Sequence, residues 1–340
     1  MSTELYPYDY FGGPEEYDFN KDRQNEQKWL INEIIRPELP NIIDNVEKCI
    51  DMLYSDQLFK MPITSGVKKN ASSPSIRGVV TRHGINIVDF QMALQFPQFD
   101  KGKIIICKMD SGKKFTLLQL DSIGKNLQQV LLLLEGLEVE KDCVTFIDKF
   151  KQSLQLITKS INILQNPPKD LLFPYNNNII VKRMFANPEQ FCESTHHKIS
   201  LELIVYKSEL TMDFRNLAKV TKKPWCDIDP VSGKSVVDKI KESLKSNRGK
   251  KLNEILEEQN IILEESNLLN NFIITTFNKE STTLQQAQDF ISRCITFDGK
   301  VVTECEKLQT TTSDPSLISI VSKLNALEHT IGNHFTNLEI

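Results

Sequence analysis

The sequence of 340 residues lacks the features that direct a chain into a membrane or a secretory pathway. The first 22 residues carry no Lys or Arg before Lys21 and no apolar core segment, so no cleaved signal peptide is expected. The longest apolar run, VLLLLEGLEV, is interrupted by Glu135 and falls well short of the ~18 residues that a membrane span requires. We therefore expect a cytoplasmic protein with no membrane span, which reaches a membrane only through a partner or a surface patch.

The sequence also lacks the cysteine spacing of a disulfide framework or a zinc site. Its seven cysteines are scattered, odd in number, and include no C-x-x-C. This pattern is typical of buried thiols in a reducing cytosol. The net charge of −4 argues against a nucleic-acid-binding surface over the whole molecule, because such a surface is normally basic.

One short stretch does collect reactive side chains, since Cys192, His196 and His197 are close in sequence. Adjacent residues on a strand point to opposite faces, so both histidines would not hold one metal ion, and no C-x₂-C or H-x₃-H companion is present. The spacing leaves open a nucleophile–base pair of Cys192 and His196, without a known local signature. We expect no catalytic, cofactor-binding or metal-binding residue, and a hydrolase or metal enzyme using these three residues is the alternative.

A second candidate, Gly233-Lys234-Ser235, resembles the end of a phosphate-binding loop. That loop needs a glycine five positions before its second glycine, so that backbone amides can wrap the phosphates, and Ile228 occupies the position. We therefore reject nucleotide binding.

The most regular apolar pattern runs over residues 143–164 in alternating steps of four and three, and Asn166-Pro167-Pro168 ends it. This a/d seam is typical of a coiled coil or of one helix in an intramolecular bundle. We expect the bundle helix, and a self-associating coiled-coil tether is the alternative. The seam residues are Cys143, Ile147, Phe150, Leu154, Ile157, Ile161 and Leu164.

Strand patterns occupy two separated parts of the chain. The segments IRGVVTR, NIVDFQMALQFP, KIIICKM and KFTLLQL predict an antiparallel meander, with DSGK as the hairpin turn between the last two. HHKISLELIVYKSEL adds a further strand, while 61–75 and 216–250 have the composition of polar loops. Beyond them, helices are predicted over 251–278, over 281–297 with Ser281 as the cap, and from Ser313 onward.

This order of elements predicts an elongated α+β protein of two domains, an antiparallel helical bundle and a mostly antiparallel β-sheet domain, each discontinuous in sequence. The predicted parts are a flexible acidic and aromatic tail over 1–22, a bundle of 23–60, 121–168 and 250–340, and a β domain of 61–120 and 169–249 with a long loop at about 216–249.

Five segments, in this order and at this spacing, resemble the Rogdi family over roughly Trp29 to Leu217. They are WLINEIIRPELPNIIDNVEKCIDML, IRGVVTRHGINIVDFQMAL, KFTLLQLDSIGKNLQQVLLLL, LLFPYNNNIIVKRMFANP and LELIVYKSEL. The most specific piece is Arg183, Met184, Phe185, Ala186 and Pro188. We expect a structural corner there, with Phe185 buried and Arg183 either bonded to local carbonyls or part of a partner surface.

The resemblance implies a non-catalytic protein without a cofactor. Fungal Rogdi-like proteins belong to the RAVE complex, the regulator of the ATPase of vacuoles and endosomes, which promotes reassembly of the peripheral and membrane sectors of that proton pump. The expected partners are the large β-propeller subunit of the complex, its small ubiquitin-ligase-type adaptor subunit, and peripheral-sector subunits of the pump. Recruitment to vacuolar and endosomal membranes would then be peripheral, and no nucleic acid would be bound.

Overall fold

A computed structural model of the chain describes residues 19–66, 73–177, 179–192, 196–247, 249–261, 263 and 282–339. The architecture is α+β with antiparallel sheets, which confirms the predicted fold class. The chain divides into two compact units, unit 1 (Met1–Ser55, Leu118–Gln165, Pro315–Ile340) and unit 2 (Asp56–Leu117, Asn166–Asp314).

The helices and strands are named here in chain order. The helices are α1 (Phe19–Trp29), α2 (Arg36–Leu53), α3 (Leu118–Glu138), α4 (Cys143–Gln165), α5 (Ile179–Met184), α6 (Val236–Ser246), α7 (Leu252–Glu258), α8 (Leu284–Arg293) and α9 (Pro315–Leu338). The strands are β1 (Leu58–Thr64), β2 (Ser75–His83), β3 (Asn86–Gln95), β4 (Ile105–Lys108), β5 (Phe115–Thr116), β6 (His197–Tyr206), β7 (Glu209–Lys219), β8 (Cys294–Phe297) and β9 (Lys300–Ser313).

Unit 1 is a bundle in which α2, α3, α4 and α9 each pack against two of the others. The helices α1 and α2 are continuous through a π-helical turn, Leu30–Ile35, where the Arg36 amide donates to the Ile31 carbonyl. Pro37 lies in the first turn of α2, where its missing amide proton costs little. The predicted tail over 1–22 extends too far, because residues 19–22 already belong to α1, and residues 1–18 lie outside the described part of the chain.

Helix α4 spans the predicted seam, and its buried stripe differs in part from the predicted one. Phe150, Ile157, Ile161 and Leu164 are buried, whereas Cys143, Ile147 and Leu154 are half-buried. Phe146, Ser153 and Ser160 are buried as well. The small serines face the core because each hydroxyl donates to the carbonyl four residues earlier, and Ser160 also accepts from Asn126 of α3 at 3.2 Å.

The first sheet of unit 2 has the order β1-β2-β3-β4, all antiparallel. Two predictions need correction. Residues 61–64 are not loop but the end of β1, where Met61 and Ile63 are buried. The DSGK turn does not make a β4–β5 hairpin, because β5 is only two residues long and pairs with β3 instead of β4.

The second sheet has the order β6-β7-β9-β8, also antiparallel. A tight turn joins β6 to β7 through Lys207 and Ser208, and both have positive φ, as a type I′ hairpin turn demands. The predicted loop at 216–249 is wrong for two stretches. Strand β7 continues to Lys219, and helix α6 begins after Ser235, whose hydroxyl accepts from the Asp238 amide in a capping box.

The predicted bundle segment 250–340 also needs correction, because residues up to Asp314 lie in unit 2. Helix α8 ends at Arg293 instead of Phe297, since Cys294–Phe297 forms β8 and pairs with β9. Strand β9 was absent from the sequence prediction and forms the neighbour of β7 along its whole length. Of the helix predicted over 251–278, α7 covers 252–258, and residues 264–281 lie outside the described part of the chain.

The two sheets of unit 2 meet where β1 lies beside β9, and the Thr310 hydroxyl donates to the Thr64 carbonyl at 3.0 Å. A buried ion pair lies in the same unit. The Arg82 guanidinium of β2 donates to both carboxylate oxygens of Asp314, at 2.5 and 3.0 Å, and stacks on the Phe59 ring at 4.7 Å. A separate apolar cluster forms around the fully buried Trp225, with contributions from α6, α7, α8 and β8.

Candidate interaction surface

The three residues of the candidate enzyme site do not assemble into one. Cys192 and His196 are exposed, and Cys192 forms an isolated backbone bridge with Lys198. The His197 ring bonds through Nδ1 to the Asn216 side chain at 2.9 Å, and Asn216 in turn donates to Glu306 at 2.8 Å. His197 is thus engaged in a chain of side-chain hydrogen bonds across β6, β7 and β9. Among the described residues, no group of three His, Cys, Asp or Glu side chains is arranged to hold a metal ion.

The segment around Phe185 forms a corner that attaches to the end of β4. Helix α5 ends at Met184, whose carbonyl accepts from the Asp110 amide at 2.9 Å. Phe185 bridges antiparallel to Met109, and the Ala186 amide donates to the Lys108 carbonyl at 3.1 Å.

The chain then enters a 3₁₀ turn, Pro188–Phe191, with Pro188 at its first position, and this turn also contacts β4. Residues 185 and 186 therefore act as a very short strand on the outer edge of the first sheet.

Phe185 anchors this corner from inside. Its side chain is 1% exposed, as expected from the sequence, and its ring lies 5.5 Å from the Phe90 ring and 5.0 Å from the Phe191 ring. Met184 is also buried, whereas Arg183 and Ala186 are exposed and Pro188 is half-buried. Arg183 makes no hydrogen bond to a described carbonyl, so of its two expected roles only a place on the exposed surface fits the described residues.

Along the remainder of the β4 edge, the described residues form no further strand, although the turn Pro188–Phe191 contacts β4. Met109 donates its amide to the Phe90 carbonyl of β3, so the backbone groups of odd-numbered residues on β4 face β3. Lys108 accepts from the Ala186 amide on the other side, so the backbone groups of even-numbered residues point outward, away from β3. By this alternation, the amide and carbonyl of Ile106 point outward. Within the described residues they find no backbone partner, because the segment that follows Ala186 forms a 3₁₀ turn and not a strand.

A groove of about 480 Å³ lies beside this free edge, and its lining includes Phe99, Ile105, Gln190 and Cys192. The side chains of Ile104 and Ile106 are 55% and 72% exposed. An open strand edge with exposed β-branched side chains is a surface that other chains can pair with. We call Ile104–Ile106 with this groove the β4 edge site.

The solvent-facing side of the first sheet carries charges of both signs near the β4 edge site. Lys108 is exposed on β4. Arg77 of β2 is also exposed and is aligned with Ile106 across the sheet, because both residues pair with Ala93 of β3. Lys103 lies at the other end of the groove, 4.0 Å from Asp100. The two charged residues that line the groove are thus of opposite sign, and Asp89 lies beside Gln91, the cross-strand neighbour of Lys108.

A buried polar layer on the second sheet is a feature that the sequence did not reveal. Arg215 of β7 pairs with Asp213 at 2.6 Å and Glu304 at 3.1 Å, and the Phe173 ring covers its guanidinium at 4.5 Å. Burial raises the pKa of Asp213 and of Glu202 above their ordinary values, against the opposing charge of Arg215. Alternation along β6 cannot show that the face with Glu202 is covered. The layer is buried and charge-paired, so we interpret it as framework.

The sequence matches the family of Rogdi leucine zipper containing proteins over residues 26–339, and the chain belongs to that family. The match covers both units and extends beyond Leu217, where the resemblance read from the sequence ended or was weaker.

A particular relative is the protein named Regulator of V-ATPase in vacuolar membrane protein 2 from Saccharomyces cerevisiae. The two chains are 46% identical over 342 residues, which cover 99% of this chain and 97% of that protein. In the described part of the present chain, no helix is long and apolar enough to cross a lipid bilayer.

Proposed function

We propose that this protein is a non-catalytic regulatory subunit that promotes reassembly of the peripheral and membrane sectors of the vacuolar proton-translocating ATPase. The observation that carries the proposal is the end-to-end 46% identity to a yeast protein named as a regulator of V-ATPase in the vacuolar membrane. Identity of this extent over both units favours a shared role of the whole chain, not of one domain.

The proposed mode of action is protein–protein contact, not chemistry. The exposed reactive side chains Cys192 and His196 lie apart from any described group of potential metal ligands, and His197 is engaged by Asn216. The β4 edge site, in contrast, has exposed isoleucines and an Ile106 backbone without a partner among the described residues, which are features suited to contact with another chain. These features support a subunit that works by docking.

The proposed partners are the large β-propeller subunit of the RAVE complex, its small ubiquitin-ligase-type adaptor subunit, and peripheral-sector subunits of the ATPase. We propose that the protein resides in the cytoplasm and joins vacuolar and endosomal membranes through these partners.

The test is complementation of a Saccharomyces cerevisiae strain that lacks the relative, with vacuolar pH measured by a ratiometric dye. Expression of this chain is expected to restore acidification to the level obtained with the relative itself, while an empty vector does not. A gentle pull-down of the tagged chain from cytosol is expected to recover the propeller subunit and peripheral-sector subunits. Expression at normal levels with neither acidification nor recovery of these partners would overturn the proposal.

A further inference from the structure

We propose that residues 172–176 form a pH-sensitive strap on the second sheet of unit 2, which lies closed over the Glu202 carboxyl while that group holds a proton and opens as the group ionises. The proposal concerns a device within unit 2, and it does not depend on the role of the chain in regulating the proton pump.

The attachment of the strap supplies the first argument. The Phe173 amide donates to the Glu202 carboxyl of β6 at 2.5 Å. The other described hydrogen bonds of residues 169–177 stay within the stretch 168–179, such as those from the Tyr175 and Asn176 amides to the Leu172 carbonyl. Within the described part of the chain, one hydrogen bond therefore joins the strap to the sheet, and its acceptor is a titratable group.

Ring contacts also hold the strap on the sheet. The Phe173 ring covers the Arg215 guanidinium at 4.5 Å and lies 5.0 Å from the Phe297 ring of β8. Arginine keeps its charge at every pH at which a protein is folded, and the Phe297 ring has none. The pH dependence of the strap therefore comes from Glu202.

Glu202 is the carboxyl of the buried layer that its neighbours compensate least. It is 5% exposed and stands directly opposite Asp213 of β7, which is 3% exposed. Arg215 donates to Asp213 at 2.6 Å and pairs with the exposed Glu304 at 3.1 Å, whereas it lies 3.6 Å from Glu202, too far for a hydrogen bond. Lys307 of β9 also pairs with Asp213, at 3.1 Å. Three carboxyls thus share two cations, and Glu202 is hydrogen-bonded to neither.

Other segments around β6 add no described charge beside Glu202. Helix α5 and the turn Pro188–Phe191 contact β6, and residues 169–171 precede the strap. The described charged residues on these segments are all exposed: Lys169, Asp170, Arg183 and Glu189. The strap itself contains no charged residue. The charges that act on Glu202 are therefore those of Asp213, Arg215 and Lys307.

Closure of the strap keeps water from Glu202. Burial raises the pKa of Glu202 above its ordinary value of 4.5, while the Phe173 amide and Arg215 oppose this rise without cancelling it. The closed strap therefore binds a proton more tightly than the open strap, in which Glu202 is hydrated. By linkage, protonation favours the closed strap below the raised pKa, and this preference is lost as the pH rises through it.

Unpaired polar atoms favour opening once Glu202 is charged. Asn176 Oδ1 of the strap is buried and finds no hydrogen-bond partner in the protein. The same is true of Ser200 Oγ, Asp213 Oδ1 and Arg215 Nη1, which lie on the face of the sheet that carries Glu202. A buried polar atom without a partner is costly, and water can reach such atoms when the strap lifts.

The experiment is hydrogen–deuterium exchange of the purified full chain, followed by mass spectrometry from about pH 5 to about pH 8, with rates corrected for the intrinsic effect of pH on exchange. Protection is compared between peptides from residues 169–177 and peptides from β7, which report on the centre of the same sheet. We expect protection of the strap to fall at least about threefold over this range, while protection of β7 stays unchanged.

Three variants identify the group that titrates. Glu202→Gln keeps the acceptor oxygen and cannot ionise, so the strap should stay closed over the whole range. Asp213→Asn removes the facing negative charge, so the fall in protection should move to lower pH. Glu189→Gln is the matched control at an exposed site on a segment that also contacts β6, and it should keep the wild-type behaviour. Unfolding midpoints show which variants fold.

The proposal is overturned if protection of the strap in the wild type is constant or rises with pH, or if β7 loses protection in parallel, because the change would then be global unfolding. These comparisons need no variant, so they decide even if Glu202→Gln does not fold. A wild-type fall in folded Glu202→Gln would also overturn it, since another group would then titrate. None of these readouts involves vacuolar pH, so failure here is distinguishable from failure of the proposed function.

Discussion

Phe185 is the residue whose replacement tests most directly how the corner at 183–188 is held. The substitution Phe185→Ala removes a ring that is 1% exposed and that contacts two other aromatic rings, those of Phe90 and Phe191. It leaves the backbone bonds of the corner in place, because those are made by the carbonyl of Met184 and the amide of Ala186. The expected effect is therefore a loss of packing at one buried site.

The magnitude follows from this environment. Replacing a buried Phe by Ala costs about 3–5 kcal/mol, as transfer of the ring is lost and a cavity remains. The two ring contacts at 5.0 and 5.5 Å lie in the range where aromatic pairs contribute beyond area burial, about 1 kcal/mol each. We expect a loss of about 4 kcal/mol for Phe185→Ala and a coupling energy of about 1 kcal/mol in a double-mutant cycle of Phe185→Leu with Phe191→Leu.

The assay is urea unfolding followed by the fluorescence of Trp225, which is fully buried in unit 2. Trp29, the second tryptophan, is 55% exposed and is replaced by Phe in all variants so that one reporter remains. Arg183→Ala, two residues away and exposed, is the control and should change stability by less than about 0.5 kcal/mol. A loss below about 1 kcal/mol for Phe185→Ala would refute the reasoning, because it would show that the ring is not packed as described.

Three further predictions concern the stability of unit 2. Asp314→Asn leaves the buried Arg82 guanidinium without its carboxylate, and we expect a loss of about 3 kcal/mol in urea unfolding; a loss below about 1 kcal/mol would contradict a buried pair. The Lys239 ammonium, bonded to Asp229 at 2.9 Å, holds the pKa of that carboxyl below its ordinary value of 3.8. Asp229→Asn should therefore lower the unfolding midpoint at pH 7, with the difference from wild type shrinking as the pH falls below 3.8; an equal difference at pH 7 and pH 3 would be the contrary result. Ser235→Ala removes the cap of α6 and should cost about 1 kcal/mol, and unchanged unfolding would show that the cap does not contribute.

The sequence alone was sufficient where an element carries its own periodicity. Alternation of apolar and polar residues placed β2, β3 and β6, and the four-and-three pattern placed α4. The sequence also predicted the α+β class from the order of its elements, and it predicted the family because the specific segments occur in a fixed order. The burial of Phe185 followed from the motif in which it lies.

Only the tertiary structure decided which faces and edges are covered. Strand β9 pairs with β7 across roughly ninety residues of chain, and Arg82 pairs with Asp314 across 232. No local pattern records such partners. The stripe that α4 buries includes Ser153 and Ser160 because neighbouring helices, not the helix itself, set which side faces the core.

The same holds for β4, whose apolar run predicts a strand without showing which part of its outer edge is paired. The periodicity of a segment reflects the environment of the two faces of that segment. Whether the backbone groups at a strand edge are paired depends instead on where a segment distant in sequence begins and stops pairing. Here that segment forms a 3₁₀ turn from Pro188 onward, and the Ile106 backbone has no partner among the described residues.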